Sequence, residues 1–329
     1  MGNCGVLSRK HVVAIAAVIS VVLLTLTAWH RHTGADAAGS QPRTGPTSST
    51  PASPKPSSPS SATRATATTA TASSSQPSRT PTASSSTAKP QLTARQLSAN
   101  LSSLFGGPAD SFSVAGYDLV TGRTVSAGAG AGMTEASVVK LDILETALYH
   151  RQQTGYAFNE GDAEAMMENS DNAAADRVFD YDDGNTGLQR YNDLVGLAHT
   201  QLDPTETWGL STTAAADQLT LLKQLISSKS ILNPTSRGYA LQLMGDVEAD
   251  QQWGISAAAD QGASPQLKNG WLNIDRDGGL WAVNSVGLTT LGGHRVLLVV
   301  LSQHQPDFQT GVNRVEAAAR QLAAALRTG

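Results

Sequence analysis

The chain carries a single cysteine, Cys4, in 329 residues. A disulfide framework and a Cys-rich metal site are both excluded. Aromatic residues reach only 5% and charged residues only 15%, with a net charge of -4, so there is no basic surface of the kind nucleic acid requires. The histidines are scattered, and no His-Glu-x-x-His helix, Gly-x-Ser-x-Gly elbow or lysine-bearing phosphate loop is present. These absences set aside the zinc, nucleophile-elbow and nucleotide routes to catalysis. No cofactor and no metal are expected.

Acidic residues are missing altogether between Gly39 and Pro90, where Ser, Thr, Ala and Pro are interrupted by five basic residues. Such a segment has almost nothing to bury and is expected to be a disordered tether, averaging roughly 40 Å end to end as a flexible coil. Ahead of it, Arg9 and Lys10 precede an uncharged run from Val12 to Trp29. At about 1.5 Å per residue, that run crosses most of a bilayer core of about 30 Å. It reads as an export signal. Ala35-Asp36-Ala37 suits cleavage, whereas the length of the run suits a retained anchor, and both alternatives stay open. Cys4 precedes the run and reads as an ordinary thiol rather than a lipid-attachment site. The expected partition is a lead and signal or anchor over 1–38, a linker over 39–90, and a folded domain over 91–329 on the cell-wall side of the membrane.

Within that domain, "TARQLSANLSSLF" predicts a helix with Leu97, Leu101 and Leu104 on one side. "FSVAGYDLVTGRTVSAG" predicts a hairpin turning at Thr121-Gly122. A helix-rich middle spans about 137–243. Strands return in "PQLKNGWLNI", "GLWAVNSVGLTTL" and "HRVLLVVLSQ", the first two joined at Asp277-Gly278, before an Ala-rich closing helix. Strands at both ends with helices between them imply an α/β (α+β) fold, in which remote segments form one antiparallel sheet beside a helical subdomain. Trp253 and Trp271 read as core cover or cleft lining.

The stretch "EASVVKLDILETALYHRQ" sets Ser137, Lys140, Leu141, Leu144 and Leu148 on one helical face, with Asp142, Glu145 and Arg151 elsewhere. An inward lysine beside a hydroxyl is a candidate base for that hydroxyl. Alternatively Ser137 is a plain helix cap and Lys140 snorkels to water. Two further stretches bear on the choice: "MENSDNAAADRV" with Ser170-Asp171-Asn172 before a helix start, and "PQLKNGW" with Lys268-Asn269-Gly270 on a strand.

With these three motifs in this order, the domain resembles the penicillin-recognising serine hydrolases, the class A β-lactamases and D,D-peptidases, whose motifs are Ser-x-x-Lys, Ser-Asp-Asn and Lys-Thr-Gly. The resemblance implies a β-lactamase/transpeptidase-like fold and an acyl-enzyme formed on Ser137, with Lys140 as base and Ser170 as proton relay. It implies substrate contacts from Asn172, Lys268, Asn269 and Gly270, and an oxyanion donor just past Gly270, about where Leu272 lies, beside the N–H of Ser137. The substrate would be a β-lactam or a peptidoglycan stem peptide, the protein a monomer tied to a membrane through its N-terminal segment. Two departures stand out. Asn269 replaces the usual Thr or Ser, and after Thr200-x-Leu-Asp-x-x-Glu206 the chain runs through Thr207-Trp208-Gly209-Leu210 where the family's omega loop continues otherwise. Glu206 either activates the deacylating water or stands in solvent. Slow deacylation is expected, the alternative being a catalytically weak module that binds peptidoglycan fragments.

Overall fold

A computed structural model describes residues 92–327. The uncharged run expected to be an export signal and the expected linker lie outside them. Among the described residues no helix is long and apolar enough to cross a membrane.

The first helix, α1 (Ala94–Phe105), starts at Thr93, whose side chain accepts from the Gln96 N–H while Gln96 reaches back to the Thr93 N–H. This reciprocal cap satisfies two donors that a helix start leaves orphaned. The helix buries Leu97, Leu101 and Phe105, with Leu104 half-exposed. Strands β1 (Phe112–Asp118) and β2 (Thr124–Gly128) form the expected hairpin, and a two-residue β3 (Met133–Thr134) follows. Helices α2 (Val139–Thr154), α3 (Glu160–Glu168), α4 (Asn172–Tyr181), α5 (Asn185–Val195), α6 (Ala215–Ile226) and α7 (Pro234–Gly245) make up the middle; β4 (Thr212–Thr213) pairs with β3 between α5 and α6. The chain closes with β5 (Gln266–Ile274), β6 (Leu280–Leu291), β7 (His294–Ser302) and α8 (Phe308–Leu326).

The main sheet runs β2-β1-β7-β6-β5, every neighbouring pair antiparallel. Because β7 is central, both its faces are buried, and successive side chains serve different cores. Leu297, Val299 and Leu301 enter the core shared with α2–α7, whereas Val296, Leu298 and Val300 enter the one beneath α1 and α8. On the second face Gly116 lets α8 close in, since a Cβ there would stand 2.8 Å from a Leu326 methyl. Trp253 and Trp271 pack with Phe308 over that second core, half-buried.

One expectation fails on α2. Asp142 and Glu145, assigned by periodicity to a polar side, are fully buried along with Lys140 and Leu141. Neighbouring helices pack around α2 on several sides, so it has no solvated face in that stretch. Burial pushes the Asp142 carboxyl up to about 7 and that of Asp182, aided by the nearby Asp142, up to about 9; Glu135 and Glu145 rise well above the carboxylate range for the same reason.

Candidate active site

Ser137 sits in a single 3-10 turn, Ala136–Val138, that leads into α2. The preceding Ala136 has φ 48°, a conformation that costs a non-glycine residue about 1–2 kcal/mol and persists only where its surroundings impose it. Asn284, fully buried on β6, imposes it. Its amide donates to Thr134 O at 2.8 Å and Glu135 O at 2.9 Å, and its own oxygen accepts from Ser302 N at 2.9 Å. Gly270 packs directly beneath the turn: a Cβ at 270 would lie 2.7 Å from both Ser137 N and Val138 N. Only a residue without a side chain allows β5 to come so close.

Lys140 is fully buried one turn further on, and its Nζ donates to Ser170 O at 2.6 Å, Ser170 Oγ at 3.1 Å and Asn172 Oδ1 at 2.7 Å. Ser170 presents both oxygens because it lies in a left-handed conformation, φ 58°. Asp171 is the cap of α4, accepting from Ala174 N. The middle residue of this motif thus caps the helix, while the two flanking residues face the lysine. Lys268, also fully buried, donates to Ser170 Oγ at 3.0 Å and Asn269 O at 3.0 Å. Burial lowers Lys140 to about 7 against the opposing pull of Asp171 and Asp176. Lys268 is pushed well below the usual lysine range by burial and then by Lys140.

The structure brings Ser170, Asn172 and Lys268 around Lys140 and seats Gly270 under the Ser137 turn. Two sequence-based placements shift. Asn269 is fully buried and points to the opposite face of β5, where its amide nitrogen donates to Gln251 O at 2.7 Å and Trp253 O at 3.2 Å. Side chains alternate along a strand, so with Lys268 and Gly270 facing the Ser137 side, Asn269 cannot; it has no donor left for a substrate carboxylate. The position expected for the second oxyanion donor also moves, from Leu272 to Trp271. Trp281 exchanges both backbone bonds with Gln305 on the β7 side. Its neighbour Ala282 therefore turns its N–H and C=O towards β5, and Leu272, paired with Ala282, is committed to the ladder. Trp271 then directs its N–H outward from the sheet edge. The Ser137 N–H likewise makes no hydrogen bond among the described residues.

The loop after α5 settles where Glu206 lies. It is exposed, and its Oε1 stands against Gly184 at the entry to α5, 3.1 Å from where a Cβ would be. What faces Lys140 instead is Trp208, its ring centroid 5.0 Å from Nζ.

A buried lysine one turn from a serine turn, a hydroxyl shared by two lysines and two N–H groups unpaired among the described residues suit acyl transfer. The sequence pattern of the β-lactamase enzyme family (Beta-lactamase2) matches residues 162–327, half of the chain. The chain belongs to the β-lactamase enzyme family. The matched segment takes in Ser170, Asn172 and Lys268 and begins beyond Ser137. No curated protein matches the sequence. Among solved structures, the β-lactamase fold is shared with a variant of PBP-A in an acyl-enzyme complex with penicillin G (20% identity, TM-score 0.57, covering 70% of this chain and 96% of that one). It is shared too with a β-lactamase from Desulfarculus baarsii (19%, 0.59, 72% and 100%) and with the TLA-3 extended-spectrum β-lactamase (13%, 0.63, 72% and 100%). This β-lactamase-family chain is accordingly a serine hydrolase.

Sequence reasoning missed Asn284 and Trp208. An asparagine in the middle of the apolar run "LWAVNSVGL" was a signal, because a buried amide needs partners. Trp208 stood out only as part of the altered loop, with no local pattern to direct its ring towards Lys140.

Proposed function

We propose that Ser137 is the nucleophile that takes an acyl group from a β-lactam or a cell-wall peptide amide, and that the resulting ester is released slowly. The observation that carries this reading is the bonding of buried Lys140 to both Ser170 Oγ and Asn172 Oδ1. A lysine lowered to about 7 is substantially neutral near neutral pH, and so has a lone pair for the Ser137 proton. As Ser137 Oγ bonds to the carbonyl carbon, that proton passes to Lys140 Nζ. The carbonyl oxygen gains negative charge opposite the Ser137 and Trp271 N–H groups. When the C–N bond breaks, Ser170 gives its proton to the departing nitrogen and is reprotonated from the lysines that surround it. Asn172, whose amide nitrogen has no partner among the described residues, is left to hold a substrate amide carbonyl. Slow release follows from the position of Glu206, turned away from this group.

We also place the domain on the outer side of a membrane, supported by the uncharged run behind Arg9 and Lys10. Protease added to intact cells should remove the domain; a full-length chain that survives would refute export.

Intact-protein mass spectrometry after incubation with penicillin and with an acyl-D-alanyl-D-alanine peptide tests the chemistry. A long-lived adduct absent from Ser137→Ala is expected. No adduct with either compound, or an adduct that persists in Ser137→Ala, would overturn the assignment.

A further inference from the structure

Trp208 occupies ground that the catalytic reading leaves unexplained. It opens the short turn Trp208–Leu210, whose next residue, Gly209, lies beside Ala136 in the serine turn. Its ring faces Lys140 Nζ at 5.0 Å, and its indole Nε1 donates to Asp176 Oδ1 at 2.8 Å. Asp176 is one turn along α4 from Asn172, which itself bonds Lys140. An α4 carboxylate thus fastens a loop tryptophan across the lysine that α4 also holds.

We infer that Trp208, latched to Asp176, is a positioning residue that shields Lys140 from water and thereby sets how long the acyl-enzyme survives. The inference rests on the acyl-enzyme reading above. The same lysine that draws the proton from Ser137 is available to draw one from a second nucleophile, provided water reaches it. The indole covers one approach with an apolar surface. It is half-buried and packs against the helical core, and its one polar atom is spent on Asp176, so a water gains no foothold on it. The remaining charged groups around Lys140 are Asp171 and Asp176 at the start of α4 and Lys268 from β5. Removing the ring relieves desolvation of the ammonium, which favours the charged lysine. Removing the Asp176 charge favours the neutral one.

The test follows the penicillin adduct over time, together with the pH dependence of its formation, in wild type and four variants. Trp208→Ala should shorten the adduct lifetime tenfold or more and move the acylation limb to higher pH. Trp208→Phe and Asp176→Ala, which remove the latch while leaving bulk or ring in place, should shorten the lifetime by a smaller factor. Asp176→Asn still accepts the indole N–H but carries no charge; it should restore the long lifetime and move the limb to lower pH. Wild-type adduct lifetimes in both Trp208→Ala and Asp176→Ala overturn the inference while leaving the acyl-enzyme intact. If wild type forms no adduct at all, it is the acyl-enzyme reading that fails.

Discussion

Lys140 and Lys268 converge on one oxygen, their Nζ atoms 3.1 and 3.0 Å from Ser170 Oγ. A hydroxyl accepts two such bonds and keeps a single proton to give. With both lone pairs occupied, that proton can only point away from the lysines. Ser170→Ala should lower the acylation rate roughly 10²- to 10⁴-fold, the range for a lost proton-transfer group, in a stopped-flow assay with a chromogenic β-lactam. A loss below tenfold would remove Ser170 from the relay.

Acylation should rise with pH through a limb near 7. Lys140 accepts a proton only in its neutral form, and its lowered value of about 7 makes that form dominant above this pH. The second-order acylation rate measured from pH 5 to 9 should gain tenfold per unit below the limb and then level off. A limb near the ordinary lysine value would mean that Lys140 is not the base.

Gly270→Ala should abolish acylation with little chance of compensation. The new methyl would meet two backbone nitrogens at 2.7 Å, and neither can rotate away. Penicillin labelling of the variant, beside circular dichroism showing retained structure, checks this; appreciable labelling would mean that β5 and the serine turn are less closely apposed.

Stability should fall as pH rises from about 4 to 7. Asp142 and Asp182 have folded-state values raised to about 7 and about 9, so over this window the folded chain holds protons that the unfolded chain has released. Such groups contribute fully at low pH and lose that contribution as pH climbs towards the folded value. Lys140 acts with the opposite sign above about 7, and Lys268, pushed well below the lysine range, opposes the trend in the same direction. Asp182→Asn should therefore raise Tm at pH 7 more than at pH 4.5, by roughly 2–4 °C for each kcal/mol recovered. Equal shifts at both pH values would show that the carboxyl is not carrying the proton.

Glu206→Gln should leave the adduct lifetime within twofold of wild type, because the carboxylate rests against Gly184 rather than the lysine. A hundredfold lengthening would show that the loop swings Glu206 inward during turnover.

The parts of this architecture that are legible in sequence are those carried by short-range pattern. Ser137 and Lys140 are one turn apart, and the hairpin and closing strands alternate as β structure must. The unreadable parts depend on what arrives from elsewhere. Asp142 and Glu145 have polar spacing on α2 but lie under helices whose docking no local period encodes. The choice between Leu272 and Trp271 turns on a parity set on the neighbouring strand β6, where Trp281 exchanges both backbone bonds with the remote Gln305. A one-residue change there exchanges every inward and outward group on β5. Asn269 sits in a motif by sequence, yet the same alternation carries its side chain to the far face.

The clamp from Asn284 ties reactivity to the order in which the chain is made. Ser137 and Lys140 emerge from the ribosome well before β6, and until Asn284 takes hold of the carbonyls of Thr134 and Glu135 nothing compels Ala136 into its strained turn. A nascent or prematurely terminated chain carries Ser137 without the Asn284 bonds that hold its turn. The serine turn thus takes its final shape only when the last third of the polypeptide has closed the sheet.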